Sequence, residues 1–397
     1  ETLDFGALGE IPPEATRPRQ VLLTGGAGAL GAQLIAELLR FTEVSLTCLV
    51  RAPDAPSARA RLLAAVAAAA PDLPAATLTG RLEALPGRLD APLFGLDGET
   101  YDALAARIEA VFHLAADVKH VLPYAALRGS NVEGTLEVVR FALHRRVKRL
   151  HHASTIAIYS RADAGPDGVV REPDLSAPPE RLAGGYTQSK WAAEALVRDA
   201  QARGLPVTIH RLGVIVGKAE ATGAADLVWR AMEASREAGA FPRSRLNMFL
   251  TPADFAVRAM RRIFEDARPG DGPFAIVGAA PLSSDDVADA MERAGGRPER
   301  LDLAAWAERI AALSAEDAAH PLAPYVRFAE TQSGLGGFAQ ALQTFLEGAP
   351  LGFDRSNLDR LLDDDSAPPG PPGGDPVAAM LSALLGRKVP APEVGAA

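Results

Sequence analysis

The stretch "TGGAGALG" (24–31) constrains this chain more than any other. It follows the apolar run "QVLL" and leads into "AQLIAELLRF", where apolar residues recur at helical spacing. A strand that turns through glycines into a helix is the context in which a glycine motif carries meaning. Two spacings are present at once: Gly25-x-x-Gly28-x-x-Gly31 and Gly26-x-Gly28-x-x-Gly31. One glycine permits a tight turn, another lets the backbone approach a pyrophosphate, and the last lets the helix pack on the strand. The phosphates would then meet unpaired N–H groups at the helix start, along Thr24, Gly25, Gly28, Ala29, Leu30 and Gly31. A glycine-rich loop without a ligand would carry the same letters; the flanking strand and helix favour a bound dinucleotide.

Further apolar runs follow at regular intervals: 45–52, 81–87, 110–116, 150–159, 206–217 and 273–278. Helical patterns lie between them, over 57–70 with Ser57 as N-cap, over 130–145 and over 186–202. Strands alternating with helices predict an α/β fold, a Rossmann-type doubly wound parallel sheet with both faces covered. Ligands of such sheets bind at the carboxyl ends of the strands. Beyond residue 218 the pattern loosens into helices expected at 225–240, 254–266, 284–294, 302–319, 335–347 and 376–386. The expected organisation is a linker over 1–18, a cofactor domain over 19–217 rejoined by 246–280, and a smaller helical lobe. That lobe takes 218–245 and 281–397 and includes the acidic, Pro/Gly-rich stretch "DDDSAPPGPPGGDP" (363–376), expected to be flexible. Its apolar residues Leu227, Trp229, Met232, Trp306 and Phe338 would be either substrate-pocket lining or helix-to-helix core.

Composition narrows the class. The one cysteine, Cys48, excludes an internal disulfide framework and suits a reducing, cytoplasmic setting. A net charge of −9 argues against nucleic acid. No run approaches the length of a membrane span. The histidines show no paired metal-ligand spacing, and His151 and His152, neighbours in one strand, should point to opposite faces. No metal site is expected. The chain starts with Glu1, which suggests a piece of a larger protein.

Which dinucleotide is bound depends on the end of the second strand, where an acid would hold a ribose hydroxyl and an Arg a 2′-phosphate. Arg51 stands there, with Arg61 on the next helix, so NADPH is favoured; a solvated loop charge is the other reading of Arg51. "YTQSK" (186–190) then places Tyr186 and Lys190 on one helix face. Reducing a carbonyl puts negative charge on its oxygen, which needs a proton donor. Tyrosine is a poor one near neutral pH until a cation stabilises its phenolate, and Lys190 lies alongside. Ser154 and Thr155 end the fifth strand, at the cleft.

Together these residues make the chain resemble an extended short-chain dehydrogenase/reductase. More narrowly it resembles the thioester reductase domains that end nonribosomal peptide and polyketide synthetases and carboxylic acid reductases. The matching segments include "VLLTGGAGALGAQLIAELL", "VFHLAADVKHVLPYAALRGSNVEGTLEVVRFA", "HHASTIAIY", "YTQSKWAAEALV" and "HRLGVIVG", within roughly 20–265, and "PYAALRGSNVEGT" discriminates best. The resemblance implies a site of Thr155, Tyr186, Lys190 and Asn131, with Asn131 supporting a water or lysine relay. It implies cofactor contacts from Ala115 and Ala116 and from Leu212, Gly213 and Val214. It implies NADPH as cofactor and a phosphopantetheinylated carrier protein as partner. The implied reaction is release of an acyl or peptidyl thioester as an aldehyde, with further reduction to an alcohol left open. The chain departs from the family pattern at Arg88, where an Asp often follows Gly87, at Leu114 in "HLAA", and at Lys119-His120. Two alternatives stay open: a dehydrogenase or epimerase of the same superfamily acting on a free small substrate, and a dinucleotide-binding module without redox chemistry. The basic run "HRRVKR" (144–149) is either a carrier-docking patch or the solvated end of a helix.

Overall fold

A computed structural model describes residues 18–172, 182, 184–216, 227–243, 249–268, 270–278, 283–293, 297–331, 337–340, 342 and 350–362. Residues 1–17, the 363–376 stretch and the 376–386 helix expectation lie outside these, as do much of 335–347 and the side chains of Leu227 and Trp229.

The centre is one parallel sheet of seven strands: β1 (Gln20–Thr24), β2 (Ser45–Val50), β3 (Leu82–Pro86), β4 (Ala110–His113), β5 (Arg149–Thr155), β6 (Val207–Leu212) and β7 (Phe274–Ile276). Their spatial order is β7-β6-β5-β4-β1-β2-β3. The order reverses between β1 and β4, and the crevice at that switch point is where this architecture binds ligands. These are the seven strands legible in the sequence. The helices that matter for the site are α1 (Ala29–Phe41), α2 (Ala55–Ala69), α3 (Gly134–Leu143), α4 (Gly185–Ala202) and α5 (Ala253–Asp266).

Strand alternation sorts β1 between two cores. Val21 and Leu23 join α1, α2 and α5 through Leu34, Leu38, Val66, Met260 and Phe264. Leu22 faces the other way, onto Tyr101, Val138, Phe141 and Val197. β1 is therefore apolar throughout because both faces are covered. The helix expected at 57–70 begins earlier, at Ala55, and its cap is Asp54, whose carboxylate accepts the Ser57 N–H at 2.8 Å. The acid nearest the end of β2 is thus committed to a helix end.

The single strand expected over 206–217 divides at Gly213. Residues Val214–Val216 leave the main sheet and pair with Leu250–Pro252. A Cβ at Gly213 would lie 2.3 Å from Thr251 Oγ1 and 2.7 Å from the Phe249 carbonyl, so only glycine makes the crossing. Helices Leu227–Ala238, Leu303–Glu316 and Ala323–Thr331 share a separate cluster through Ala234, Trp306, Ile310 and Val326, stitched by the strand pair Ala240–Arg243 with Glu299–Asp302. Trp306 is core here: it is buried, and its indole N–H donates to the Ala240 carbonyl at 3.2 Å. Phe338 packs against the same cluster and Met232 is buried.

Residues 350–362 were expected in this lobe but lie against the sheet body. Gly352–Phe353 pairs with Val169–Val170, and Leu358 is fully buried in the α1/α5 core. The basic run is largely used internally. Arg145 and His144 meet Asp102, and Lys148 is buried with its ammonium donating to the His144 and Arg146 carbonyls at 2.6 and 2.8 Å.

Candidate functional site

The glycine turn is built to bring backbone to backbone. Gly25 has φ +82, and a Cβ there would lie 2.7 Å from Ala115 N, at the end of β4. A Cβ on Gly31 would lie 2.2 Å from the Gly25 carbonyl oxygen. Gly28, the α1 N-cap, donates its N–H to Gly25 O at 2.9 Å. Gly26 faces inward, toward Cys48, Ile35 and Leu23. The left-handed turn residue is therefore Gly25, which selects the first of the two spacings. α1 has no side-chain cap and no acid in its first turn, so its leading N–H groups, at Ala29 and Leu30, present the positive end of the helix to the switch point. This cradle fits a dinucleotide pyrophosphate. Thr24 is committed elsewhere. Its hydroxyl meets His113 Nδ1 at 2.8 Å and the Ala115 N–H at 3.3 Å, tying the ends of β1 and β4 together. Ala115 and Ala116 follow as half-buried loop residues.

At the end of β2, Arg51 is exposed and forms no ion pair among the described residues. Arg61 donates to the Arg51 carbonyl at 2.8 Å, which holds it beside Arg51. Arg88, the departure after Gly87, forks onto Asp90 through two contacts of 3.0 Å. An acid is thus retained at this corner, two residues further on, and the Arg88 contact holds its carboxyl below the usual range.

Across the switch point, α4 carries Tyr186 and Lys190. Its start is fixed by Gly185, where a Cβ would lie 2.3 Å from Tyr124 N. The "LPY" loop thus packs directly on the first turn of "YTQSK". The Thr155 hydroxyl lies beside the Tyr186 phenol. Burial pushes that phenol up to about 12, with the Thr155 contact opposing. Lys190 is buried and donates to the Ala153 carbonyl at 2.8 Å. Burial brings its ammonium down to about 8, with Glu194 opposing. The lysine therefore shares the helix face of Tyr186, with its ammonium held at the end of β5. The ring of His120 stands edge-on to Tyr186, with centroids 4.5 Å apart.

The two hydroxyls at the end of β5 meet different residues of α4. Thr155 lies beside Tyr186, whereas Ser154 donates to Glu194 Oε2 at 2.6 Å. His151 and His152 also diverge: His151 meets His210 at 3.1 Å, and His152 lies against His113 with centroids 5.4 Å apart. Asn131 is buried in a π turn (Gly129–Glu133) ahead of α3. Its Oδ1 accepts the Asp117 N–H at 2.7 Å, and its amide donates to Asp117 O at 3.0 Å and Ser189 Oγ at 2.9 Å. Both amide hydrogens are committed, so Asn131 ties the loop after β4 to α4. Leu212 is buried at the end of β6, and the Gly213 N–H donates to Ile276 O at 3.0 Å. The half-buried Val214 begins the departing strand, its N–H on Phe249 O at 2.9 Å.

Sequence reasoning missed Glu194, Arg211 and Glu172, a buried charged chain behind this surface. Only the i, i+4 spacing of Lys190 and Glu194 pointed to it. Among the described residues no cluster of His, Cys, Asp and Glu could hold a metal, and no helix is long and apolar enough to cross a membrane.

The NAD-binding family model described as "Male sterility protein" matches residues 23–260. A linear gramicidin synthase polypeptide of Brevibacillus parabrevis is 34% identical over 313 residues, covering 78% of this chain and 6% of that protein. Carboxylic acid reductase of Mycobacterium tuberculosis (strain ATCC 25618 / H37Rv) is 37% identical over 236 residues, covering 56% of this chain and 20% of its own length. The chain thus spans a small part of these relatives. The crystal structure of the terminal R domain from the myxalamid PKS-NRPS biosynthetic pathway superposes with a TM-score of 0.81 at 29% identity, covering 97% of this chain and 94% of that one.

Proposed function

Given that this chain belongs to the NAD-binding male sterility protein family, we propose that it is an NADPH-dependent thioester reductase. In this reading it releases an acyl or peptidyl chain from a carrier protein's phosphopantetheine as an aldehyde. The observation that carries the reading is the convergence of Thr155, Tyr186 and buried Lys190 at the sheet edge that also holds the Gly25–Gly31 cradle. Terminal reductase architecture over nearly the whole chain supports it, and so do relatives named as a gramicidin synthase and a carboxylic acid reductase.

The Gly25–Gly31 cradle and the first turn of α1 would hold the pyrophosphate. Arg51, with Arg61 beside it, would meet the 2′-phosphate, and Leu212–Val214 would border the nicotinamide. The bound cofactor supplies the hydride. The Thr155 and Tyr186 hydroxyls donate to the thioester oxygen as negative charge develops on it, and Tyr186 gives up its proton. A phenol held near 12 stays protonated at neutral pH and is available to donate. Lys190 then stabilises the phenolate that remains. When the hemithioacetal collapses, its hydroxyl proton returns to Tyr186 and the sulfur leaves as a thiolate, which takes its proton from water. In this reading the chain is one domain of a larger cytoplasmic synthetase, and the helices Leu227–Ala238, Leu303–Glu316 and Ala323–Thr331 would supply the acyl side.

Tyr186→Phe removes the proton while leaving the ring, and loss of NADPH oxidation with an acyl-pantetheine thioester is expected. Undiminished turnover by this variant would refute the assignment. If the native chain reduces no member of a thioester panel, a free small substrate becomes the better reading.

A further inference from the structure

Behind the proposed site lies a carboxylate that the reaction scheme does not use. Glu194 is completely buried in α4, four residues beyond Lys190. A buried ion pair is poor evidence of a stability device, since well-packed apolar residues often replace one at no cost. Its place has to be explained by what it touches. Oε2 accepts from Ser154, the residue before Thr155, at 2.6 Å. Oε1 accepts from Arg211 Nη2 at 2.7 Å, and Arg211 precedes Leu212 on β6. Arg211 in turn donates to the Glu172 carbonyl and lies 4.9 Å over the Tyr159 ring. One side chain therefore joins the ends of β5 and β6 to the helix that carries the reacting phenol.

We propose that Glu194 is a positioning residue for the reduction. Its carboxylate fixes the Thr155 end of β5 to the helix that carries Tyr186 and Lys190 and to the Leu212–Val214 rim. Four residues beyond Lys190 on the same helix face, it also favours the lysine's charged form. The inference rests on the function proposed above.

The groups facing Lys190 leave that electrostatic part to Glu194. From β5 come the Ala153 carbonyl and His152, from β4 comes His113, and α4 itself supplies Tyr186 and Glu194. Burial lowers both histidines below their ordinary range, so they bring no charge that favours the ammonium. Arg211 and Arg198 lie on the far side of Glu194, at 2.7 and 3.7 Å. Burial works against the ammonium, and Glu194 works for it.

The test is the pH profile of kcat for reduction of an acyl-pantetheine thioester by the full chain with NADPH. Glu194→Gln keeps the side-chain shape and an acceptor for Ser154 but removes the charge. We expect kcat near neutral pH to fall by about tenfold or more, with KM for NADPH within about threefold. The alkaline limb should move to lower pH, because Lys190 loses the neighbour that favours its protonated form. Ser154→Ala removes only the link to β5. It should lower kcat with the limb in place. A limb unmoved in folded Glu194→Gln overturns the proposal, whatever its kcat, since a merely structural role would lower activity without moving it. If Glu194→Gln does not fold, Glu194→Asp and Ser154→Ala carry the test, and native kcat in both overturns it. A native chain inactive on every thioester counts against the proposed function instead. In that case the same limb can be read on any free carbonyl compound the protein reduces.

Discussion

Replacing Gly31 by Ala tests the cofactor cradle without touching any reacting group. The added Cβ would lie 2.2 Å from Gly25 O, 2.8 Å from Gly25 C and 2.9 Å from Gly26 Cα. All three are backbone atoms, so no side chain can swing aside. An ordinary contact begins at 3.4 Å, which leaves the carbonyl short by 3.4 − 2.2, or roughly 1.2 Å. Gly25 cannot retreat, because its own Cβ position is already 2.7 Å from Ala115 N. The start of α1 must therefore lift, against a helix whose Leu34, Ile35, Leu38 and Leu39 are in the core. Overpacking of this kind costs about 1–3 kcal/mol of stability. A hydrogen bond to a charged group is worth about 1.5–3 kcal/mol. Losing one such bond to the pyrophosphate predicts NADPH binding weakened by roughly 10- to 150-fold. The assay is a fluorescence titration of NADPH alongside a thermal melt. Gly98→Ala is the control, since no atom lies within 4 Å of a Cβ there. A folded Gly31→Ala protein that binds NADPH within about twofold of the native chain would refute the cradle.

Other consequences follow from the same contacts. Arg51→Ala should raise KM for NADPH much more than for NADH, since only the former carries the 2′-phosphate; equal effects would make Arg51 a surface charge. A chain ending at residue 349 loses buried Leu358 and the Asn357 N–H that meets Glu172 Oε2 at 2.6 Å, so its Tm should drop by several degrees; an unchanged Tm would contradict the placement of 350–362 on the sheet body. Burial pushes Glu172 up from 4.5 to about 7. The folded chain then binds a proton that the unfolded chain releases, so this contribution is present below about pH 4.5 and lost as pH rises through about 7. Thermal melts of the native chain should decline across that window more steeply than those of Glu172→Gln, and parallel slopes would argue against it.

The sheet was legible because its strands are continuous apolar runs between helices, and seven such runs became seven strands. Their carboxyl ends were not. The run 150–159 stops being strand at Thr155, and 206–217 breaks at Gly213, because these residues stay apolar after the chain has left the ladder. Helix Gly98–Arg107 was missed because "GETYDALAAR" shows only a narrow apolar stripe, Tyr101, Leu104 and Ala105. The placement of Tyr186 and Lys190 on one helix was legible because their spacing encodes one helix face. Glu194 escaped because the letters do not say which charged residue of a helix is buried. The aim of Lys190 at Ala153 is set by a neighbour 37 residues away in the chain, and the commitment of the two Asn131 amide hydrogens by neighbours 14 and 58 residues away.

The short strand Val169–Val170 finds its partner only at Gly352–Phe353, 352 − 169 = 183 residues later, whereas β1 finds β2 after 45 − 20 = 25. At roughly 5–20 residues per second, a ribosome takes on the order of 10 s or more to supply that partner. Until then Glu172 lacks one of the two amides its carboxylate accepts, and the α1/α5 core lacks Leu358. The nascent protein thus passes through a stage in which the glycine cradle and the tyrosine helix are complete in sequence but the edge behind them is open. Closure of that edge is a late, long-range event, the kind of step that slows folding.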